Sequence, residues 1–170
     1  MLALVMCGGK GRRLGSIEKP MIQVKGRRLI DYILREIDCA MIDCVCITSP
    51  HTPKTEGYVR ERGYEFLRAM GTDYMEDVFF AIKELGISTP VLVLNSDLCI
   101  LREGILQEFI HAYMISTTPA MTCTYRDGRH VGINVFDPLL GEQKEEKFII
   151  DEGDVVNIDT PDDLRRAENG

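Results

Sequence analysis

The segment Cys7-Gly8-Gly9-Lys10-Gly11-Arg12-Arg13-Leu14-Gly15 crowds four glycines and three cations into nine positions. Glycine lets a backbone turn tightly and bring its N–H groups against an anion, and Lys10, Arg12 and Arg13 add counter-charge. The chemistry on offer is phosphate binding, against the plainer alternative of a tight turn with solvated cations. The segment is not a Walker A loop, since no Gly-Lys-Ser/Thr ends it. It is not G-x-G-x-x-G either, because Leu14 stands where the third glycine would fall. A second candidate is Asp97, just beyond the apolar run Val91 to Leu94. A hard dication bridging triphosphate oxygens wants carboxylate ligands, and a strand end is a rigid place to hold one. The alternative for Asp97 is a helix cap.

Charge distribution agrees with a small polyanionic ligand. The net charge is -7, yet residues 1–28 hold seven Lys or Arg and one acid, so they carry +6 and the remainder -13. An island of this size suits a nucleoside triphosphate better than a duplex, and no nucleic-acid partner is expected. His51, His111 and His130 are scattered and form no obvious base or metal site. Six cysteines without a Cys-x-x-Cys pair read as buried free thiols of a reducing compartment. No stretch approaches the roughly 20 apolar residues of a membrane span. Met1 to Met6 runs into glycines rather than a cleavage site, so a cytoplasmic location with no membrane partner is expected.

The elements that position these residues follow from periodicity. Leu2 to Met6 is continuously apolar, as in a strand buried on both faces. Leu29, Ile30, Ile33, Leu34 and Ile37 have helical spacing. Val45 to Thr48 reads as a strand, a Pro-rich loop follows, and a short helix runs from about Lys54 to Arg62. Tyr64 to Leu67 reads as the next strand. Gly71-Thr72-Asp73 caps a helix with Val78, Phe79, Ile82 and Leu85 inward. Val91 to Leu94 is a strand and Glu103 to Tyr113 a helix. Ala120 to Tyr125 and Val131 to Phe136 flank the turn Arg126-Asp127-Gly128. Gln143 to Lys147 reads equally as a solvated turn or a functional segment. A strand near Val155 to Ile158 precedes a helix capped at Thr160-Pro161-Asp162-Asp163. Alternating strands and helices predict a three-layer, Rossmann-like α/β fold with a mainly parallel sheet in a single domain, 1–170. Ligands of such folds gather at strand carboxyl ends. That rule aligns the glycine loop, Thr48 to His51, Ala69 to Asp73 and Asn95 to Asp97 along one rim.

Gly-Gly-x-Gly-x-Arg-x-Gly followed by Glu18-Lys19-Pro20 resembles the N-terminal motif of the nucleotidyltransferase superfamily that includes molybdenum-cofactor guanylyltransferases. Several further segments resemble the archaeal adenosylcobinamide-phosphate guanylyltransferases within it. They are Thr48 to Thr55, Gly71 to Asp77, Gly132-Ile133-Asn134-Val135, Gln143 to Glu146 and Asn157 to Leu164, and their collinearity carries the resemblance. It implies that Gly8, Gly9, Gly11 and Arg13 hold the triphosphate with Lys10 nearby. Lys19, Arg13 and Asp97 would be catalytic, with Asp97 binding Mg²⁺. Guanine of GTP would lie against Thr48, Ser49, Gly71 and Thr72, and the acceptor, adenosylcobinamide phosphate, against Gly132, Asn134 and Asn157. The implied reaction is GMP transfer from GTP with release of pyrophosphate, and a homodimer comes with the resemblance. Other readings of the same residues are a transferase acting on molybdopterin or a sugar phosphate, and a dinucleotide-binding oxidoreductase. The last should place an acid at the end of the second strand, where Cys46-Ile47-Thr48-Ser49-Pro50 has none.

Overall fold

The computed structural model describes residues 1–9, 11 and 17–170. The main sheet is built from β1 (Leu2–Met6), β4 (Cys44–Thr48), β5 (Glu65–Arg68), β6 (Val91–Asn95), β8 (Ala120–Tyr125), β9 (His130–Phe136) and β10 (Glu145–Ile150). Its order is β10-β8-β9-β6-β1-β4-β5. β1 pairs in parallel with β4 and β6, as does β4 with β5 and β8 with β10. β9 alone runs against its neighbours β6 and β8. Among the described residues the α-helices are α1 (Leu29–Ala40), α2 (Pro53–Glu61), α3 (Tyr74–Glu84), α4 (Ile105–Ile115) and α5 (Pro161–Asn169).

The apolar run of β1 follows from its central place, because alternate side chains enter different cores. Ala3 and Val5 join Ile30, Ile33, Ile37, Val59 and Phe109 from α1, α2 and α4. Leu4 and Met6 pack on the other face with Val78 and Ala81 of α3. The sheet therefore lies between two helical layers, as the alternation of elements predicts.

Four local readings change. The inward face of α3 is narrower than expected, since Phe79 and Leu85 are exposed while Val78 and Ala81 are buried. Glu145 to Lys147 is no turn; it begins edge strand β10, which keeps exposed charge because one flank of an edge strand faces water. β10 is nevertheless anchored, with Phe148 edge-on to Phe109 at 5.6 Å between ring centroids. The strand near Val155, β11 (Val155–Asn157), does not join the main sheet. It forms an antiparallel ribbon with the unforeseen β7 (Leu98–Ile100). A short hairpin of β2 (Gln23–Val24) and β3 (Arg27–Arg28) also precedes α1. The cysteines are free thiols, but Cys39 is exposed rather than buried.

α4 begins without a cap of its own, since Gly104 precedes it in the left-handed region. The buried Glu36 of α1 supplies one, accepting from Gly104 N at 2.9 Å and Leu106 N at 3.1 Å. Glu36→Ala leaves those donors unpaired and should lower the unfolding free energy by roughly 1–2 kcal/mol. Urea denaturation of the parent and variant checks this, with Glu36→Gln expected to lose less.

Candidate active site

At the carboxyl ends of β1, β6 and the segment after β5 lies a cleft of about 470 Å³, within the usual size of small-molecule sites. Gly8, Gly9 and Gly11 form one wall, Gly71 and Thr72 another, and Lys19 and Asp97 the floor between them. Lys10 and Arg13 lie outside the described residues.

The floor is an ionic cluster. Lys19 opens a 3₁₀ turn, Lys19–Met21, with Pro20 in its first turn. Its Nζ donates to Asp97 Oδ2 at 2.9 Å and to Asp159 Oδ1 at 2.5 Å. Burial by itself lowers the Lys19 pKa, but the Asp97 charge and the bonds to both carboxylates carry it above its ordinary value. For Asp97 the balance goes the other way: burial raises its pKa, and the Lys19 ammonium only partly opposes that. Asp97 Oδ1 and Asn157 Oδ1 are buried without a hydrogen-bond partner among the described residues. The β7–β11 ribbon brings these groups together, since Ile158 N donates to Asp97 O at 2.9 Å.

Among the described residues no three His, Cys, Asp or Glu side chains assemble as a metal cage. Two carboxylates of the cleft lining, Asp97 and Asp159, are of the kind that can hold a hard dication whose remaining ligands are phosphate oxygens and water.

The other expected residues fall into different places. Thr48 and Ser49 are buried just under the rim instead of lining it. Thr48 Oγ1 donates to Glu56 Oε2 at 3.0 Å, and the Arg68 guanidinium holds the Glu56 carboxyl below its ordinary pKa. Ser49 Oγ donates to Gly8 O at 2.8 Å and accepts from His51 N at 3.1 Å, so it ties the loop after β4 to the glycine loop. Asn157 lies on β11 opposite Leu98, the residue after Asp97, and does not line the cleft. Gly132 and Asn134 lie on β9 and do not themselves line the cleft, but Gly132 packs against Asn95, which does. Asn134 Oδ1 accepts from Thr122 Oγ1 at 2.9 Å.

Sequence reasoning overlooked Asp159, Tyr74 and Asp77 as cleft residues, whereas Asn95 lines the cleft as the rim rule expects. The signal for Asp159 was its place before Thr160-Pro161. The expected cap forms as a reciprocal Thr160–Asp163 box, and Asp159 N also donates to Asp163 Oδ2 at 3.1 Å, which holds Asp159 toward Lys19. Asp77 is buried and accepts from Gly71 N at 3.1 Å. Tyr74 donates its hydroxyl to Asn95 Oδ1 at 2.9 Å, and burial together with the Asp97 charge pushes its pKa up to about 12. Asp73 caps α3 as expected, accepting from Met75 N and Glu76 N.

Comparison with known proteins gives one consistent result. Residues 3–150 match the family model described as a MobA-like NTP transferase domain. An adenosylcobinamide-phosphate guanylyltransferase of Methanocaldococcus jannaschii is 35% identical over 191 aligned positions, covering 99% of this chain and 96% of that protein. Among solved structures, Rv0371c of Mycobacterium tuberculosis superposes with a TM-score of 0.80 at 15% identity, covering 100% of this chain and 98% of that one. HddC of Yersinia pseudotuberculosis, solved with GMP-PN, gives 0.74 at 15% identity, covering 99% and 98%. At such identities the structural likeness concerns the fold.

Gly71 carries a testable consequence. It has φ +69°, and a Cβ there would stand 2.6 Å from Ser49 Cβ. Gly71→Ala should lower the melting temperature and remove most of the rise given by a nucleoside triphosphate, because the loop must leave Ser49 and with it the cleft wall. Thermal melts with and without GTP measure both effects; an undiminished rise would show that the wall is not needed for binding.

Proposed function

This chain belongs to the MobA-like NTP transferase family, and from that premise we propose that it transfers GMP from GTP to adenosylcobinamide phosphate, a step of cobalamin biosynthesis. The end-to-end likeness to the Methanocaldococcus jannaschii enzyme, 35% identity along nearly all of both chains, carries the choice of nucleotide and acceptor. The chemistry of the cleft supports it. A phosphate oxygen of the acceptor forms a bond to the α-phosphorus of GTP while the bond from that phosphorus to the β-phosphate oxygen breaks. The products are adenosylcobinamide-GDP and pyrophosphate.

A phosphate monoester has its second pKa near about 6, so it is largely a dianion near neutral pH and needs no general base. This fits a cleft whose titratable groups include Lys19, Asp97, Asp159 and Asp77 but no histidine. The work left to the protein is alignment and charge neutralisation. Gly8, Gly9 and Gly11 bring backbone N–H groups toward the triphosphate, with Lys10 and Arg13 of the same segment adding charge. Lys19 would reach the phosphates near the reacting centre, and Asp97 and Asp159 would hold Mg²⁺, which would supply charge neutralisation for the α-phosphate and the departing pyrophosphate. Gly71 and Thr72 border the guanine, and Thr48 and Ser49 support that border from beneath. A cytoplasmic homodimer belongs to the same reading, and sedimentation checks the dimer.

Incubation with labelled GTP and adenosylcobinamide phosphate tests the proposal directly through the labelled adduct and pyrophosphate. Transfer to molybdopterin or a sugar phosphate, with none to adenosylcobinamide phosphate, would replace the acceptor. Asp97→Asn should fold normally and lose turnover by orders of magnitude; a rate near that of the parent would remove Asp97 from the mechanism. Both Asp97→Asn and Asp159→Asn should also weaken Mn²⁺ binding, read by electron paramagnetic resonance. GTP should raise the melting temperature more than ATP does, and Lys19→Ala should shrink that rise.

A further inference from the structure

Tyr74 at the start of α3, Asn95 at the end of β6 and Gly132 in β9 form a unit that the nucleotide loops do not explain. The Tyr74 hydroxyl occupies Asn95 Oδ1 at 2.9 Å. With its oxygen engaged, the amide directs Nδ2 over β9 at Gly132. That glycine has φ +102°, and a Cβ on it would lie 2.5 Å from Asn95 Nδ2 and 2.8 Å from Cγ. Gly132 thus makes room for the Asn95 amide. Nδ2 is neither hydrogen-bonded among the described residues nor a buried orphan, so it is an available donor at the cleft edge.

The sheet order shows what it faces. The loops after β5, β4 and β1 flank the nucleotide side of the rim, Asp97 follows β6, and β9 lies on the far side of β6. A nucleophile attacking the α-phosphorus opposite a pyrophosphate held by the β1 loop must approach from the β9 side. Asn95 stands between the two, only two residues before Asp97. A neutral amide also suits that place. Lysine or arginine there would pair tightly with the incoming dianion and dull the attacking oxygen, whereas an amide N–H orients the phosphate and leaves its nucleophilicity largely intact.

We propose that Asn95 is a catalytic residue whose Nδ2–H groups orient the acceptor's phosphate as one of its oxygens bonds to the α-phosphorus and pyrophosphate departs, with Tyr74 and Gly132 as positioning residues that act through it. The proposal rests on the transferase reading above. It differs from a direct role for Gly132, in which the acceptor phosphate would meet the β9 backbone.

The two arrangements separate in a double-mutant cycle. Asn95→Ala, Gly132→Ala, Tyr74→Phe and the pairs Asn95→Ala/Gly132→Ala and Asn95→Ala/Tyr74→Phe are compared with the parent. GTP affinity is measured by calorimetry, and kcat and KM are measured for adenosylcobinamide phosphate. GTP affinity should stay within about twofold of the parent, while Asn95→Ala lowers kcat/KM for the acceptor roughly tenfold to a hundredfold. Gly132→Ala should lose a similar factor alone and little further beside Asn95→Ala, where the amide is gone and only the strain of alanine at φ +102° and the Cβ contact at 3.1 Å remain. If the paired variant instead loses the product of the two single factors, Gly132 meets the acceptor itself and the proposal falls. It also falls if Asn95→Ala stays within about twofold of the parent in kcat/KM. Should Gly132→Ala fail to fold, the Tyr74 arm decides: Tyr74→Phe must cost activity in the parent and none beside Asn95→Ala. A parent that binds GTP but makes no adduct would overturn the transferase reading, and this inference with it.

Discussion

Three distant parts of the chain meet at one ammonium group. Lys19 lies 78 residues before Asp97 and 140 before Asp159, and its Nζ bonds both. Two carboxylates cannot share a partly buried floor without a cation, because desolvation and mutual repulsion both oppose their charges. The folding of the β7–β11 ribbon against the N-terminal turn therefore depends on Lys19 arriving in place. Glu18 helps to deliver it. Its carboxylate accepts from Lys54 N at 3.0 Å, Thr55 N at 2.7 Å and Thr55 Oγ1 at 2.8 Å, and so fastens the Lys19 turn to the start of α2. Thr52, the residue in capping position, cannot do this, since its hydroxyl is engaged with Ser49.

The same economy of polar groups shapes the rim. The hydroxyls of Thr48, Ser49 and Thr52 are consumed within the protein, as a buried hydroxyl without a partner would be costly. They set the shape of the loops and leave the ligand-facing surface to glycine backbone. Among the described residues the buried side-chain atoms left without a partner are two oxygen acceptors, Asp97 Oδ1 and Asn157 Oδ1.

The frame that carries this site tolerates wide sequence change. Superposition at a TM-score of 0.80 with 15% identity means that most core positions need only an apolar residue of suitable volume.

Periodicity and composition determined a good deal. The apolar run of β1, the helical spacing of α1 and the glycine-rich segment after Met6 are local patterns, and local patterns dictate element type and the presence of a phosphate-facing turn. The placement of Gly8, Gly9, Gly11, Lys19, Gly71, Thr72 and Asp97 in one cleft follows from the rule that parallel strands present their carboxyl ends on one rim. What the sequence could not reveal is pairing at long range. Charge left Gln143 to Lys147 readable equally as a solvated turn or a functional segment, because sheet-edge burial is one-sided and depends on which strand lies alongside. Thr48 and Ser49 were expected to border the guanine, and only the positions of Glu56 and Gly8 show that their hydroxyls are spent inside. Asp159 looked like a residue beside a helix cap; the antiparallel register of β11 on β7 is what carries it to Lys19. Gly132 looked like an opening for a ligand, and only its distance to Asn95 shows which group fills that space. In each case the deciding contact joins residues far apart in the chain, and one-dimensional spacing carries no information about such contacts until the backbone has folded.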